Sequence, residues 1–273
     1  MTEQARRVVR FRELHRPGTP LLIPNPWDVG SARLLASLGF EALATTSSGF
    51  ATTLGRLDGS VTREEAIAHA AQIVAATDLP VSADLENGFA DEPDGVAETA
   101  GQAVSAGLAG FSIEDFSGEA GIYDRQLAAE RVAAAVEVAH AADARLVVTA
   151  RAENYLHGRS DLQDTIARLQ AYQEAGADVL YAPGPTRAQD IEAIVASVDR
   201  PVNVLARPGA PPVAELARLG VSRISVGGAF AFAAVQALVT AAQELREAGT
   251  YGFGEAAGAG ARAAREAFGQ PPA

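Results

Sequence analysis

The chain has 273 residues and a formal net charge of −12, from 34 acidic against 22 basic side chains, so it is long enough for one sizeable core and too acidic for nucleic acid or an anionic membrane. It has no cysteine, which excludes disulfides, thiolate nucleophiles and cysteine-ligated metal. Every basic residue is Arg, which excludes Schiff-base chemistry and lysine-linked pyridoxal phosphate.

Glu3 to Leu14 reads as an amphipathic helix; Met1 to Arg16 is arginine-rich without an apolar stretch, so neither a secretory signal nor a membrane span is predicted and a cytoplasmic protein is expected. A first strand, Leu21–Pro24, ends in Asn25-Pro-Trp-Asp28 and a helix to Leu38. Glu41–Thr46 is predicted as the second strand, running into Ser47-Ser-Gly-Phe50, with a helix over Arg63–Ala76 capped by Thr62. Strand three is Pro80–Leu85 with a helix over Val96–Ala106. Strand four is Gly110–Glu114, its loop Phe116–Asp124 leading to the helix Arg125–Ala141. Strands five to eight are Arg145–Arg151, Val179–Ala182, Val202–Leu205 and Arg223–Val226. Their helices span Leu162–Ala175, Arg187–Ser197, Pro212–Leu219 and Ala229–Arg246. A glycine-rich break, Gly249–Gly254, precedes a last helical piece near Phe268, and the final residues are expected to fray.

Eight apolar strands alternating with helices predict a parallel sheet closed into a (β/α)8 TIM barrel, with no Gly-x-Gly-x-x-Gly turn to favour an open dinucleotide-binding sheet. One domain over 1–273 is expected: a lead-in over 1–20, the barrel over 21–248 and a helical tail over 249–273. In such a barrel, chemistry gathers at the C-terminal strand ends, where Asp28, Ser48, Asp84, Glu86, Glu114, Arg151, Glu153 and Asn203 fall. In Val81-Ser-Ala-Asp-Leu-Glu86, strand alternation puts Asp84 and Glu86 on one face, and Glu114 ends the neighbouring strand about 4.8 Å away. Two readings stand: solvated acids at a loop mouth, or the seat of a divalent cation, magnesium with manganese as the alternative. Arg151 reads equally as an ion-pair partner of these acids or as a substrate-carboxylate anchor. Thr45-Thr-Ser-Ser-Gly-Phe50 reads as a plain turn or as a carboxylate nest, with Gly49 for close backbone approach. Of four histidines only His157 falls in a loop at this face, so a three-histidine zinc site is not expected.

Taken in order, Trp27-Asp-Val-Gly-Ser-Ala-Arg33, Gly39-Phe-Glu-Ala42, Ser48-Gly-Phe50, Asp58, Asp84-Leu-Glu-Asn-Gly88, Ile113-Glu-Asp115 and Thr149-Ala-Arg151 resemble the isocitrate lyase / phosphoenolpyruvate mutase superfamily over essentially the whole chain. The resemblance implies a TIM barrel with a C-terminal helix swapped between subunits, a homo-oligomer (dimer or tetramer), magnesium, and small 2-oxo acid substrates or products. It implies Asp84 as direct metal ligand, with Glu86 and Glu114 acting through water. Ser48, Gly49 and Phe50 would grip a carboxylate, with Arg151 as second anchor and Asn203 beside them, and Asp58 would ride on a gating loop. The family's usual Asp-x-Asp is here Asp84-Leu-Glu86, and the lyases' Lys/Arg-x-Cys-Gly-His segment is absent from the strand-four loop, as is the mutases' Lys-Thr-Asn-Ser.

Four functions follow as expectations. The first is a magnesium-dependent lyase cleaving a C–C bond next to a 2-oxo acid, with Tyr123 or an oriented water as proton donor. The second is a hydrolase of oxaloacetate- or phosphonopyruvate-like substrates in which Asp58 orients water. The third is a non-catalytic binder of 2-oxo dicarboxylates such as 2-oxoglutarate, and the last is a phosphate-binding barrel using Arg207-Pro-Gly209 and Gly227-Gly228.

Overall fold

The computed structural model describes residues 1–118 and 121–269; Glu119 and Ala120 of the strand-four loop, and the chain end expected to fray, lie outside the described residues. In chain order the elements are α1 (Glu3–Glu13), β1 (Leu21–Ile23), α2 (Val29–Ser37), β2 (Leu43–Ala44), α3 (Ser47–Thr53), α4 (Arg63–Ala75), β3 (Val81–Asp84), α5 (Pro93–Ser105), β4 (Gly110–Glu114), β5 (Phe116–Ser117), β6 (Gly121–Ile122) and α6 (Arg125–Ala141). They continue with β7 (Val147–Arg151), α7 (Leu162–Glu174), β8 (Val179–Tyr181), α8 (Ala188–Ala196), β9 (Val202–Leu205), α9 (Val213–Arg218), β10 (Arg223–Ser225), α10 (Ala229–Glu247) and α11 (Gly254–Phe268).

Eight of the strands form one parallel sheet in the order β1-β10-β9-β8-β7-β4-β3-β2. The two ends meet where the Ala44 N–H donates to the Pro24 carbonyl at 3.1 Å and Asn25 Nδ2 donates to the Thr45 carbonyl at 2.9 Å. This is the (β/α)8 barrel that the alternation of strands and helices predicts. The remaining pair, β5 and β6, makes a small antiparallel hairpin at the mouth beside β4.

The strand interiors differ from the usual branched-aliphatic layers. Thr45, Ser82, Ser112, Thr149, Asn203, Arg223 and Ser225 are all buried, and four of them, Thr149, Asn203, Arg223 and Ser225, hydrogen-bond among themselves. Arg223 donates from Nε to Asn203 Oδ1 at 3.0 Å and from Nη1 to Thr149 Oγ1 at 3.1 Å, and Asn203 Nδ2 donates to Ser225 Oγ at 3.0 Å. Below them α1 closes the barrel floor with Ala5, Val8 and Phe11 buried. A side chain at Gly110 would stand 3.0 Å from Phe11 and 2.5 Å from the Val147 carbonyl, so glycine there lets the helix approach.

His15, just after α1, donates from Nδ1 to the Phe11 carbonyl at 2.8 Å, leaving Nε2 to face Arg223 Nη1 at 3.5 Å as an acceptor. Burial, and then the Arg223 charge, lower its pKa from 6.5 to about 3. The unfolded chain therefore binds this proton more readily than the fold. The stability due to neutral His15 is intact above pH 6.5 and is lost as pH falls toward 3. His15→Gln is expected to make unfolding less acid-sensitive by about 2–3 kcal/mol between pH 6.5 and 4.5, read from urea titrations at both values. Equal acid sensitivity in variant and wild type would show that His15 plays no such part.

Two expectations change. The second strand stops at Ala44, because Thr46 becomes the N-cap of α3 and puts Ser48, Gly49 and Phe50 on a helix. The third strand ends at Asp84, and Glu86 lies in the following turn at φ 47°, a left-handed conformation that ends the strand alternation. The C-terminal helix α11 packs on α2 of this chain, with Phe268 under the Arg33 guanidinium at 5.5 Å. Of α10 only Ala231 is buried, while Phe232 and Leu238 are 50 % and 70 % exposed. Among the described residues no helix is long and apolar enough to cross a membrane.

Candidate active site

The C-terminal mouth of the barrel is built around Arg151. Parallel pairing of β4 with β7 sets Glu114 opposite it, while β3, paired with β4 so that Asp84 lies opposite Ser112, ends in Asp84 at the same mouth. The guanidinium reaches Asp84 Oδ1 at 2.9 Å, Glu114 Oε2 at 3.0 Å and Glu153 Oε1 at 2.8 Å. The structural half of the two Arg151 readings is thus present: the residue is largely spent on three acids. Burial pushes the Glu114 and Glu153 carboxyls up, and the Arg151 charge opposes that shift. Asp84 is held further by the Ser47 N–H, donated to Oδ2 at 3.2 Å, while its own N–H donates to Thr45 Oγ1 at 2.9 Å.

Two cavities open here. The inner one, about 180 Å³, runs into the barrel between Asn25, Ser48, Asp84, Arg151, Tyr181 and Arg223. The outer one, about 800 Å³, is bounded by Glu86, Glu114, Phe116, Glu153 and His157. Ser47, Asp58, Arg151 and Leu156 line both, so the two meet at these residues. Asp58, on an exposed loop and itself exposed, lines this junction. Its pKa is raised, by burial first and then by the charge of Asp84, against a hydrogen bond from Ser47.

Six carboxylates line the two cavities (Asp58, Asp84, Glu86, Asp91, Glu114, Glu153), against two arginines, Arg151 and Arg223. Glu86 shows the strain of that surplus. Its Oε1 is buried without a hydrogen-bond partner, and burial with the charges of Asp84 and Asp58 raises its pKa to about 8. Among the described residues no three acidic or imidazole side chains stand close enough to cage a metal ion by themselves. An orphaned buried carboxylate oxygen beside an excess of acids fits a hard cation that takes one direct carboxylate and keeps several waters, as magnesium does.

The other residues read from the sequence fall in different places. Gly49 is required by packing: a side chain there would lie 2.6 Å from Thr46 Cγ2 and 3.1 Å from Trp27 Cβ, and its N–H is held by Thr46 Oγ1 at 3.4 Å. Phe50 stacks on His69 at 3.9 Å and lines neither cavity. Asn203 is fully buried beneath the mouth as a partner of Arg223. Tyr123, read as a proton donor, lines neither cavity; its hydroxyl donates to Asp91 and accepts from Asn87 at 3.0 Å, and burial raises its pKa. Asp28 is a helix cap, accepting from the Ser31 N–H at 2.6 Å. Asp115 is a buried strut, bonded to Arg168 at 3.0 Å and the Tyr172 hydroxyl at 2.6 Å, and it accepts the Glu153 N–H at 2.8 Å.

Sequence reasoning passed over Tyr181, Arg223 and Ser225, and included Ser47 only within the Thr45–Phe50 stretch. The Arg223-Ile-Ser225 alternation was the available signal, since the parity that buries Ile224 against the helices turns both neighbours inward. In the strand-four loop, Phe116 stacks on His157 at 3.4 Å, fixing the imidazole against the outer cavity.

A family model described as phosphoenolpyruvate phosphomutase matches residues 11–246. A Mycobacterium tuberculosis protein is 36% identical over 87% of this chain and 89% of its own length. An oxaloacetate decarboxylase of Pseudomonas entomophila is 31% identical over 83% and 80%, and a 2-methylisocitrate lyase of Halalkalibacterium halodurans is 28% identical over 88% and 77%. Among solved structures, one from Burkholderia cenocepacia J2315 superposes with a TM-score of 0.95 at 54% identity over 99% of both chains. An oxaloacetate acetylhydrolase in complex with oxalate gives a TM-score of 0.81 at 25% identity, over 90% of this chain and 88% of that one.

Proposed function

Because the chain belongs to the phosphoenolpyruvate phosphomutase family, we propose that it is a magnesium-dependent lyase that breaks a C–C bond beside a 2-oxo acid. The observation that carries this reading is the surplus of acids around a buried, partnerless Glu86 oxygen. Asp84 would hold the ion, with Glu86 and Glu114 acting through its waters; manganese would serve the same donors. When bound, the ion would supply Lewis acidity toward the carboxylate and keto oxygens of the substrate.

The chain's own side chains divide the remaining work. Arg151 fixes Asp84, Glu114 and Glu153 in place, and its charge opposes the upward shift that burial imposes on the two glutamates. Ser47 and Ser48, at the start of α3, face the inner cavity where a substrate carboxylate would lie, and Gly49 and Phe50 seat that helix. His157 is the imidazole on the outer wall, and it takes the proton-carrying role that Tyr123 is too enclosed to fill. The exposed apolar row of α10 supports self-association as a homo-oligomer.

Hydrolysis is the second reading, favoured by Asp58, whose place at the junction of the cavities suits it to orient a water. The experiment is turnover of 2-methylisocitrate, 2,3-dimethylmalate and oxaloacetate, each with magnesium and with EDTA. Release of a 2-oxo acid from one of them, in magnesium only, is expected. Oxalate plus acetate from oxaloacetate would favour hydrolysis, and binding without turnover across the panel would leave a carboxylate binder.

A further inference from the structure

Arg223 is 3% exposed, yet among the described residues no carboxylate lies within ion-pair distance of it. Its protein partners are neutral: Asn203 Oδ1, Thr149 Oγ1 and the unprotonated Nε2 of His15. A guanidinium has five N–H donors, and the two on Nη2 find no protein acceptor among the described residues. Burying an uncompensated cation is costly, and burial with the repulsion of Arg151 lowers its pKa to about 10. The side chain borders the inner cavity together with Tyr181 and Ser225. The other arginine there, Arg151, is already committed to three carboxylates. The cavity is therefore polarised, with acids at its mouth and a cation without a counter-charge at its inner end.

We infer that Arg223 receives a second oxyanion group of the substrate, so that the site selects small acids charged at both ends over 2-oxo monocarboxylates. This rests on the function proposed above and adds a specificity-determining residue to it. At about 180 Å³ the inner cavity is below the ~300 Å³ at which pockets for drug-sized ligands begin, so the second group sits a few bonds from the keto carbon. Tyr181 and Ser225 provide neutral hydroxyls beside the guanidinium, suited to the oxygens that Arg223 leaves free.

The test is calorimetric titration in magnesium with matched pairs, 3,3-difluorooxaloacetate against 2-oxobutyrate and 2-oxoglutarate against 2-oxopentanoate, with phosphonopyruvate as a further arm and oxalate as the control. Wild type is expected to prefer the doubly charged member of at least one pair by about 10–100-fold. Arg223→Met should bring that ratio to about one while leaving oxalate affinity within about threefold, and Arg223→Lys should restore part of it. A stronger response to phosphonopyruvate than to the dicarboxylates would identify the second group as a phosphonate. Equal binding of both members of each pair by wild type would overturn the inference without any variant, even with oxalate still bound. Persistence of the preference in folded Arg223→Met or Arg223→Gln would overturn it as well. Failure of oxalate and all the other acids to bind wild type would overturn the underlying function together with it.

Discussion

Arg151→Met is expected to destabilise the chain by about 3–5 kcal/mol, the loss that follows when one partner of a buried charge cluster is removed. Asp84, Glu114 and Glu153 all lie within 3.0 Å of this guanidinium, and Glu153 is 2% exposed, so solvent cannot replace the lost partner. Burial already pushes Glu114 and Glu153 up, with Arg151 as the opposing charge. Without it their folded-state pKa values rise further above the unfolded ones. Stability is then retained where the carboxyls are protonated and lost as pH rises through the folded values. The variant should therefore lie closest to wild type in acid and fall away toward neutral pH. Urea unfolding at pH 5 and pH 8 checks both points, and a loss below about 1 kcal/mol at pH 8 would mean the cluster is solvated after all.

Asp84→Asn is expected to leave the fold intact and to remove at least about 10³-fold of kcat/KM on whichever substrate is turned over, since Lewis-acid assistance supplies several kcal/mol and each 1.36 kcal/mol is tenfold. The amide keeps the shape between Ser47 and Arg151 but loses the charge that a magnesium ion would meet. Steady-state kinetics with saturating magnesium measures the effect. Activity within about tenfold of wild type would remove Asp84 from the role of metal ligand.

How much of this was legible depended on whether strand parity carried through to the residue. The barrel was readable because its alternation of short strands and helices spans the whole chain. Asp84, Glu114 and Arg151 were readable because each ends a strand at the same mouth; register sets Glu114 opposite Arg151, and the Arg151 side chain reaches on to Asp84. Glu86 was assigned by parity past the end of β3; it reaches the outer cavity through a left-handed turn, which strand alternation does not anticipate. Ser48-Gly49-Phe50 was read as a nest because a Thr-Ser-Ser-Gly run suits turns, whereas Thr46 uses its hydroxyl to cap a helix. Asn203 was placed at the mouth and Arg223 was passed over. The hydrogen bond between them is long-range, so no local pattern shows which of the two borders the cavity. Tyr123 was chosen for its loop, and its enclosure by Asp91 and Asn87 depends on contacts more than 30 residues away.

The most direct test of a cation-held 2-oxo acid site is thermal unfolding with oxalate, in magnesium and in EDTA, for wild type and Asp84→Asn. Oxalate at about 100 times its dissociation constant should stabilise wild type by about 2.7 kcal/mol, a rise of several degrees, in magnesium alone. The same rise in EDTA, or an undiminished one in Asp84→Asn, would contradict the account.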